Sequence, residues 1–185
     1  EDEDEGRRIA SSSSSSLNRN RGHDLQRRYA VQLPMRGGPR LRFDDLVEHS
    51  SGLYCLTGGA NGELATYVRT GRTTEAVFAL ERWRDVFGDR LAVEVQLHHV
   101  GGHESALATA LIELSQRSRT KWVATNEPYY LDSGGRLVHD LLTALRADLD
   151  VATAASWGLL NPNGEWRLKS PAEMATLWRG REEGL

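Results

Sequence analysis

From Leu53 onward the chain alternates short apolar runs with stretches of helical period, and this alternation restricts its fold more than any other feature. Leu53-Tyr54-Cys55-Leu56-Thr57 is an apolar run closed by Gly58-Gly59, the pattern of a buried strand, with Cys55 as a small buried residue in it. Gly62 to Val68 predicts a short helix stopped by Gly71. Thr73 or Thr74 then offers an N-cap, and Ala76, Leu80, Trp83 and Phe87 recur at helical spacing until Gly88 ends the run. Leu91 to Leu97 predicts a strand with Val93, Val95 and Leu97 on one face and Glu94 and Gln96 on the other. A helix over about Glu104 to Gln116 turns Leu107, Leu111 and Leu114 inward, and Trp122 to Thr125 predicts a third strand. Asp132 or Ser133 opens a helix that presents Leu137, Leu141, Leu142 and Leu145. Ser170-Pro171-Ala172-Glu173 matches a capping box with proline at the first helical position, ahead of Met174, Leu177 and Trp178. Strand, helix, strand, helix, strand, helix predicts an α/β fold with parallel strands and crossover helices.

Residues 1–40 are of a different kind. An acidic start at Glu1–Glu5 leads into six serines, Ser11–Ser16, and an Arg/Asn stretch, a composition without enough apolar area to offset chain entropy. The expected division is therefore a low-complexity, disordered tail over residues 1–40 and one domain over 41–185. Much of the overall deficit in hydrophobic residues, 39% with a mean hydropathy of −0.52, sits in that tail. The first residue, Glu1, is not methionine, an arrangement that fits a cut piece or partial gene product. A net charge of −3 and a pI near 6.1 lack the basic excess of a domain that lays duplex DNA along its surface. The nine arginines between Arg7 and Arg42 form a local basic cluster, read as a solvated segment. The single cysteine excludes an internal disulfide framework and a cysteine-rich zinc site. No apolar stretch approaches eighteen residues and no charged leader precedes an apolar core, so a soluble cytoplasmic chain is expected, with no membrane partner.

In parallel α/β folds, ligands sit at the C-terminal ends of strands, so three rims hold the candidates: Gly58-Gly59, Leu97 to His99, and Asn126 to Tyr129. Glu127, just past a strand, has the chemistry of a metal ligand or a base. His98 and His99, with His103 beyond, are read as solvent-facing loop histidines, because neighbours on an extended strand point to opposite faces. The Thr57-to-Gly62 run has neither the lysine of a P-loop nor a full G-x-G-x-x-G pattern, and a tight strand-to-helix turn explains it.

Five segments in order resemble one family. Gly52 to Gly59, followed by Gly62-Glu63-Leu64, resembles the "G-L-I-C-L-S-G-C…G-E-L" run of the polymerase-and-histidinol-phosphatase (PHP) domain in bacterial DNA polymerase III alpha subunits. Arg90 to Gln96 resembles its "F-Y-x-E-x-Q" strand, and Val123 to Leu131 its "V-A-T-N-D-x-H-Y-L". His139-Asp140-Leu141-Leu142 is similar to "x-H-D-x-L", and Leu168 to Met174 to "L-K-S-P-E-E-M". The resemblance runs from about Leu41 to Trp178 and matches the C-terminal half of the domain.

It implies part of a distorted (β/α)7 PHP barrel whose mouth carries a cluster of divalent ions, zinc or manganese. The family's early H-x-H motif is missing, since residues 1–40 contain only His23. Three later ligand positions are also altered: the family's cysteine is Gly59 here, its aspartate Glu127 and its histidine Tyr129. Only Glu127 keeps a strong donor, as in the degenerate domain of the error-prone paralogue. The implied role is a structural and interaction module of a DNA polymerase III alpha-type subunit, in replication or repair synthesis. It would meet the rest of the polymerase or its holoenzyme subunits, touching DNA only indirectly and catalysing nothing alone. The alternatives are a metal-dependent PHP phosphoesterase or proofreading nuclease, and a free-standing non-enzymatic binding protein.

Overall fold

The computed structural model describes residues 41–185, so the expectation of an irregular tail over 1–40 lies outside the described residues. They divide into two compact units, one of residues 41–135 with 163–185 and one that takes in residues 136–162.

The larger unit is built on a three-stranded parallel sheet in the order β1 (Cys55–Leu56), β2 (Leu91–Gln96), β3 (Lys121–Thr125). The register pairs Cys55 with Leu91, and Ala92 through Gln96 with Lys121 through Thr125. Helix α1 (Phe43–Glu48) precedes β1, α2 (Glu63–Arg69) and α3 (Thr73–Phe87) link β1 to β2, and α4 (Gly102–Arg117) links β2 to β3. This is the α/β, parallel-strand architecture expected of part of a PHP barrel. Its core lies where Leu91, Val93 and Val95 of β2 meet Leu64, Leu80 and Leu111. The period-2 burial of β2 and the 3.6-residue period of α3 and α4 turn the same apolar sets inward, as the sequence predicts.

Two expectations about elements of this unit, β1 and the start of α3, are corrected. The run Leu53–Thr57 is not a buried strand: only Cys55 and Leu56 pair, Tyr54 is 79% exposed, and Leu53 and Leu56 are exposed too. Among the described residues its one neighbour is β2, so there β1 gains cover on one side only. Cys55 is half-buried, and that burial raises its thiol pKa. The N-cap of α3 is Arg72, which caps nothing with its side chain and instead pairs with Glu75 at 2.8 Å.

The C-terminal segment carries α7 (Pro171–Leu177), whose capping box is formed: Ser170 Oγ accepts from the Glu173 N–H at 3.3 Å, and Glu173 Oε2 accepts from the Ser170 N–H at 2.8 Å. Ser170→Ala is expected to cost about 0.5–2 kcal/mol through loss of this cap, measured as a lowered urea midpoint at unchanged slope. After α7 the chain returns to β3, where Gly184 lies so close to the Trp122 ring that a Cβ there would fall 2.2 Å from it.

The second unit contains α5 (Gly135–Arg146) and α6 (Val151–Ser156). Asp150 caps α6, accepting from the Thr153 N–H at 2.8 Å. Arg136 ion-pairs with Asp140 at 3.4 Å and donates to the Asn161 carbonyl at 3.1 Å. The helix expected after Asp132 exists, and Asp132 Oδ1 accepts from the Gly134 and Gly135 N–H groups. Its Leu137, Leu141, Leu142 and Leu145 are exposed, Leu137 to 72%. Among the described residues no helix is long and apolar enough to cross a membrane.

Candidate functional site

At the C-terminal end of the sheet the three strands bring together a cluster that pattern reading passed over. Glu94, on the face of β2 away from the core, accepts through Oε2 from the Gly58 N–H at 3.1 Å. Its Oε1 accepts from the Thr125 hydroxyl at 2.6 Å and from the Gln96 amide at 3.3 Å. Gln96 Nε2 also donates to Thr125 Oγ1 at 3.1 Å, and Thr57 Oγ1 accepts from the Glu94 N–H at 3.0 Å. The carboxylate thus has three donors from three strand ends.

Gly59 lies against this cluster. It is buried at φ +53°, and a Cβ placed on it would lie 2.6–2.7 Å from the Gln96 amide atoms. The space of a ligand side chain at this position is therefore held by the Gln96 amide. Glu127 and Tyr129 meet each other on the loop after β3, where the Tyr129 hydroxyl donates to Glu127 Oε1 at 2.8 Å. Partial desolvation of the phenol, with the Glu127 hydrogen bond and charge added, pushes the Tyr129 pKa up to about 12. At neutral pH it is an uncharged donor and a poor metal ligand. Among the described residues no group of three or more His, Cys, Asp or Glu side chains is arranged to hold a metal ion. The family's divalent cluster does not fit these residues.

Beside this rim His98 is buried, 4% exposed, which corrects its reading as a solvent-facing histidine; His99 and His103 are exposed as expected. The His98 ring stacks flat on Trp166 with centroids 4.1 Å apart. Its Nδ1 lies 3.1 Å from Glu104 Oε1 and its Nε2 2.9 Å from the Asn126 carbonyl oxygen. Asn126 in turn donates to the Glu165 and Arg167 carbonyls and accepts from Lys169 Nζ at 2.7 Å. The Lys169 side chain is 4% exposed and ion-pairs with Glu165 at 3.1 Å. These contacts tie the ends of β2 and β3 to the 163–169 segment.

A groove of about 500 Å3 adjoins that segment, lined by His99, Glu165, Arg167, Lys169 and Glu173 among others. Its cations are matched by carboxylates, with Arg167 2.6 Å from Glu173. The Arg167 hydrogen bond, helped by the Ser170 N–H, holds the Glu173 carboxyl down to about 2. A depressed folded value contributes stability that is fully present above the ordinary 4.5 and lost as pH falls toward 2. The thermal midpoint of Glu173→Gln is thus expected below the parent's at pH 7, the gap closing between pH 4.5 and 2; a gap of constant size counts against the pair.

The sequence profile of the family described as "PHP domain" matches residues 7–98. A DNA polymerase III subunit alpha from Aquifex aeolicus is 27% identical over 146 residues, covering 79% of this chain and 12% of that protein. One from Caulobacter vibrioides is 34% identical over 107 residues, 58% of this chain and 9% of that protein. An error-prone DNA polymerase from Anaeromyxobacter dehalogenans is 30% identical over 143 residues, 77% and 11% of the two chains. The chain therefore spans only about a tenth of the length of such relatives.

Proposed function

Because the chain is a PHP-domain relative of bacterial DNA polymerase III alpha subunits and error-prone DNA polymerases, we propose that it serves as a structural and interaction module of a larger DNA-synthesising enzyme. Its partners on this reading are the remainder of a polymerase subunit or of its holoenzyme, in replication or repair synthesis in the cytoplasm. The observation that carries the reading is the Gln96 amide in the space where the family's cysteine ligand would project from position 59. A multi-metal phosphoesterase needs several convergent anionic or imidazole donors, so that one ion activates water while another steadies the leaving oxygen. Here Glu94 is occupied by three donors and Glu127 by a phenol.

Calorimetric titration with zinc and manganese, paired with a chromogenic phosphoester assay, tests the proposal. Weak, hydrated cation binding and no turnover are expected. Stoichiometric submicromolar binding that Glu127→Ala abolishes, together with turnover, would replace the module with a hydrolase.

A further inference from the structure

At the end of the sheet opposite Gly59 and Glu94, where β2 and β3 begin, a cavity of about 290 Å3 opens between the end of α3 and the turn into β3. Arg84, Arg119 and Lys121 line it, with Gly88, Asp89 and Thr120. Its volume is near the lower end for small-molecule sites, about 300 Å3. Cations often gather where helices end, because they complement exposed carbonyls. That accounts for Arg84, whose Nη1 donates to the Ser118 carbonyl at the C-cap of α4, 2.8 Å away. Among the described residues the other two reach no such carbonyl. Neither Arg119 nor Lys121 makes a side-chain hydrogen bond or ion pair among the described residues, whereas nearby Arg117 is matched by Glu113 at 3.4 Å. Arg119 also occupies a left-handed position, φ +52°, just past the end of a helix, where glycine is the unstrained choice. The pocket thus holds two uncommitted cations and an arginine with donors to spare, against the single carboxylate of Asp89.

We propose that this pocket binds a phosphate group carried by a nucleic-acid strand. Two planar guanidinium forks and an ammonium suit a tetrahedral oxyanion with several acceptor oxygens. Phosphate contacts of this kind position a protein on a strand without reading its sequence. The choice of nucleic acid as the carrier rests on the polymerase-module reading; the anion chemistry does not. This is a direct contact with nucleic acid, and it lies away from the strand C-termini.

The test is a metal-free titration of the full chain, followed by backbone amide NMR at low salt, with inorganic phosphate and with a short single-stranded oligonucleotide as probes. The arginine-rich stretch between Arg7 and Arg42 also attracts the oligonucleotide, so the readout is local: the amides of Gly88, Arg119, Thr120 and Lys121. Saturating shifts of these amides with both probes are expected. The double change Arg119→Gln, Lys121→Gln should weaken them by about tenfold or more, as loss of charge-assisted hydrogen bonds does. Asp89→Asn should tighten binding. All three side chains are exposed, and a dispersed spectrum in each variant reports an intact fold. Amides that stay still, or that move equally in the double variant, overturn the site. Shifts with phosphate but not the oligonucleotide overturn the nucleic-acid carrier. Because no metal or turnover enters this measurement, its failure is separate from failure of the module reading, which the zinc and phosphoester assays report.

Discussion

Trp178→Ala is expected to lower stability by about 3–5 kcal/mol, the usual cost of truncating a buried tryptophan. Trp178 closes α7, is 1% exposed, and packs on Trp122 of β3 with ring centroids 5.4 Å apart. It thus joins the C-terminal segment to the sheet, with half-buried Met174 and Leu177 supporting it. A domain of this size holds roughly 5–15 kcal/mol in total, so the alanine variant sits near the threshold of unfolding. Trp178→Phe separates packing from hydrogen bonding. Among the described residues the buried indole Nε1 has no hydrogen-bond partner, so phenylalanine removes an unsatisfied donor along with some volume. That variant is expected to cost less than about 1.5 kcal/mol, within the range of hydrophobic swaps of similar size. Urea denaturation of the three proteins checks the order. An alanine variant as stable as the phenylalanine one would mean that α7 is not coupled to the sheet.

What the sequence disclosed and what it hid divide along the range of the interactions. Elements whose burial is set within a single period were legible: β2 through Val93 and Val95, α3 through Ala76 and Leu80, and the Ser170–Glu173 box, where partners lie three residues apart. Apolar character misled where these side chains are exposed, as at Leu53 and Tyr54 ahead of β1 and along Leu137 to Leu145 of α5. His98 escaped because β2 ends at Gln96, so the alternation that places Val93 inward no longer governs it. Trp166 and Asn126, far along the chain, cover it instead. The Glu94–Thr125 bond spans 31 residues, and no local period marks such a pair. The resemblance located the altered positions Gly59, Glu127 and Tyr129, yet gave no sign that Gln96 fills the space at Gly59.

Gly59→Cys is therefore expected to destabilise the fold by about 2–5 kcal/mol rather than to rebuild a metal ligand. Two effects add. The backbone at φ +53° is left-handed, which costs a residue with a Cβ about 1–2 kcal/mol. The new Cβ also meets the end of the Gln96 side chain at 2.6–2.7 Å, so that amide must leave. Long side chains usually move at little cost, but this one is bonded to Glu94 and Thr125, and each bond lost costs about 0.5–1.5 kcal/mol. Gln96→Ala alone clears the space, so Gly59→Cys with Gln96→Ala should cost less than the sum of the two single changes. A coupling of about 1 kcal/mol is expected, as for residues in direct contact. Additivity would show that Gln96 does not fill the position. The triple change Gly59→Cys, Glu127→Asp, Tyr129→His should remain inactive toward a chromogenic phosphoester. The displaced amide leaves Glu94 committed to Gly58 and Thr125, and one thiolate, one imidazole and one carboxylate do not supply a multi-metal cluster. Turnover by that variant, abolished by removing zinc, would show that the site had lost only its ligands and kept its architecture.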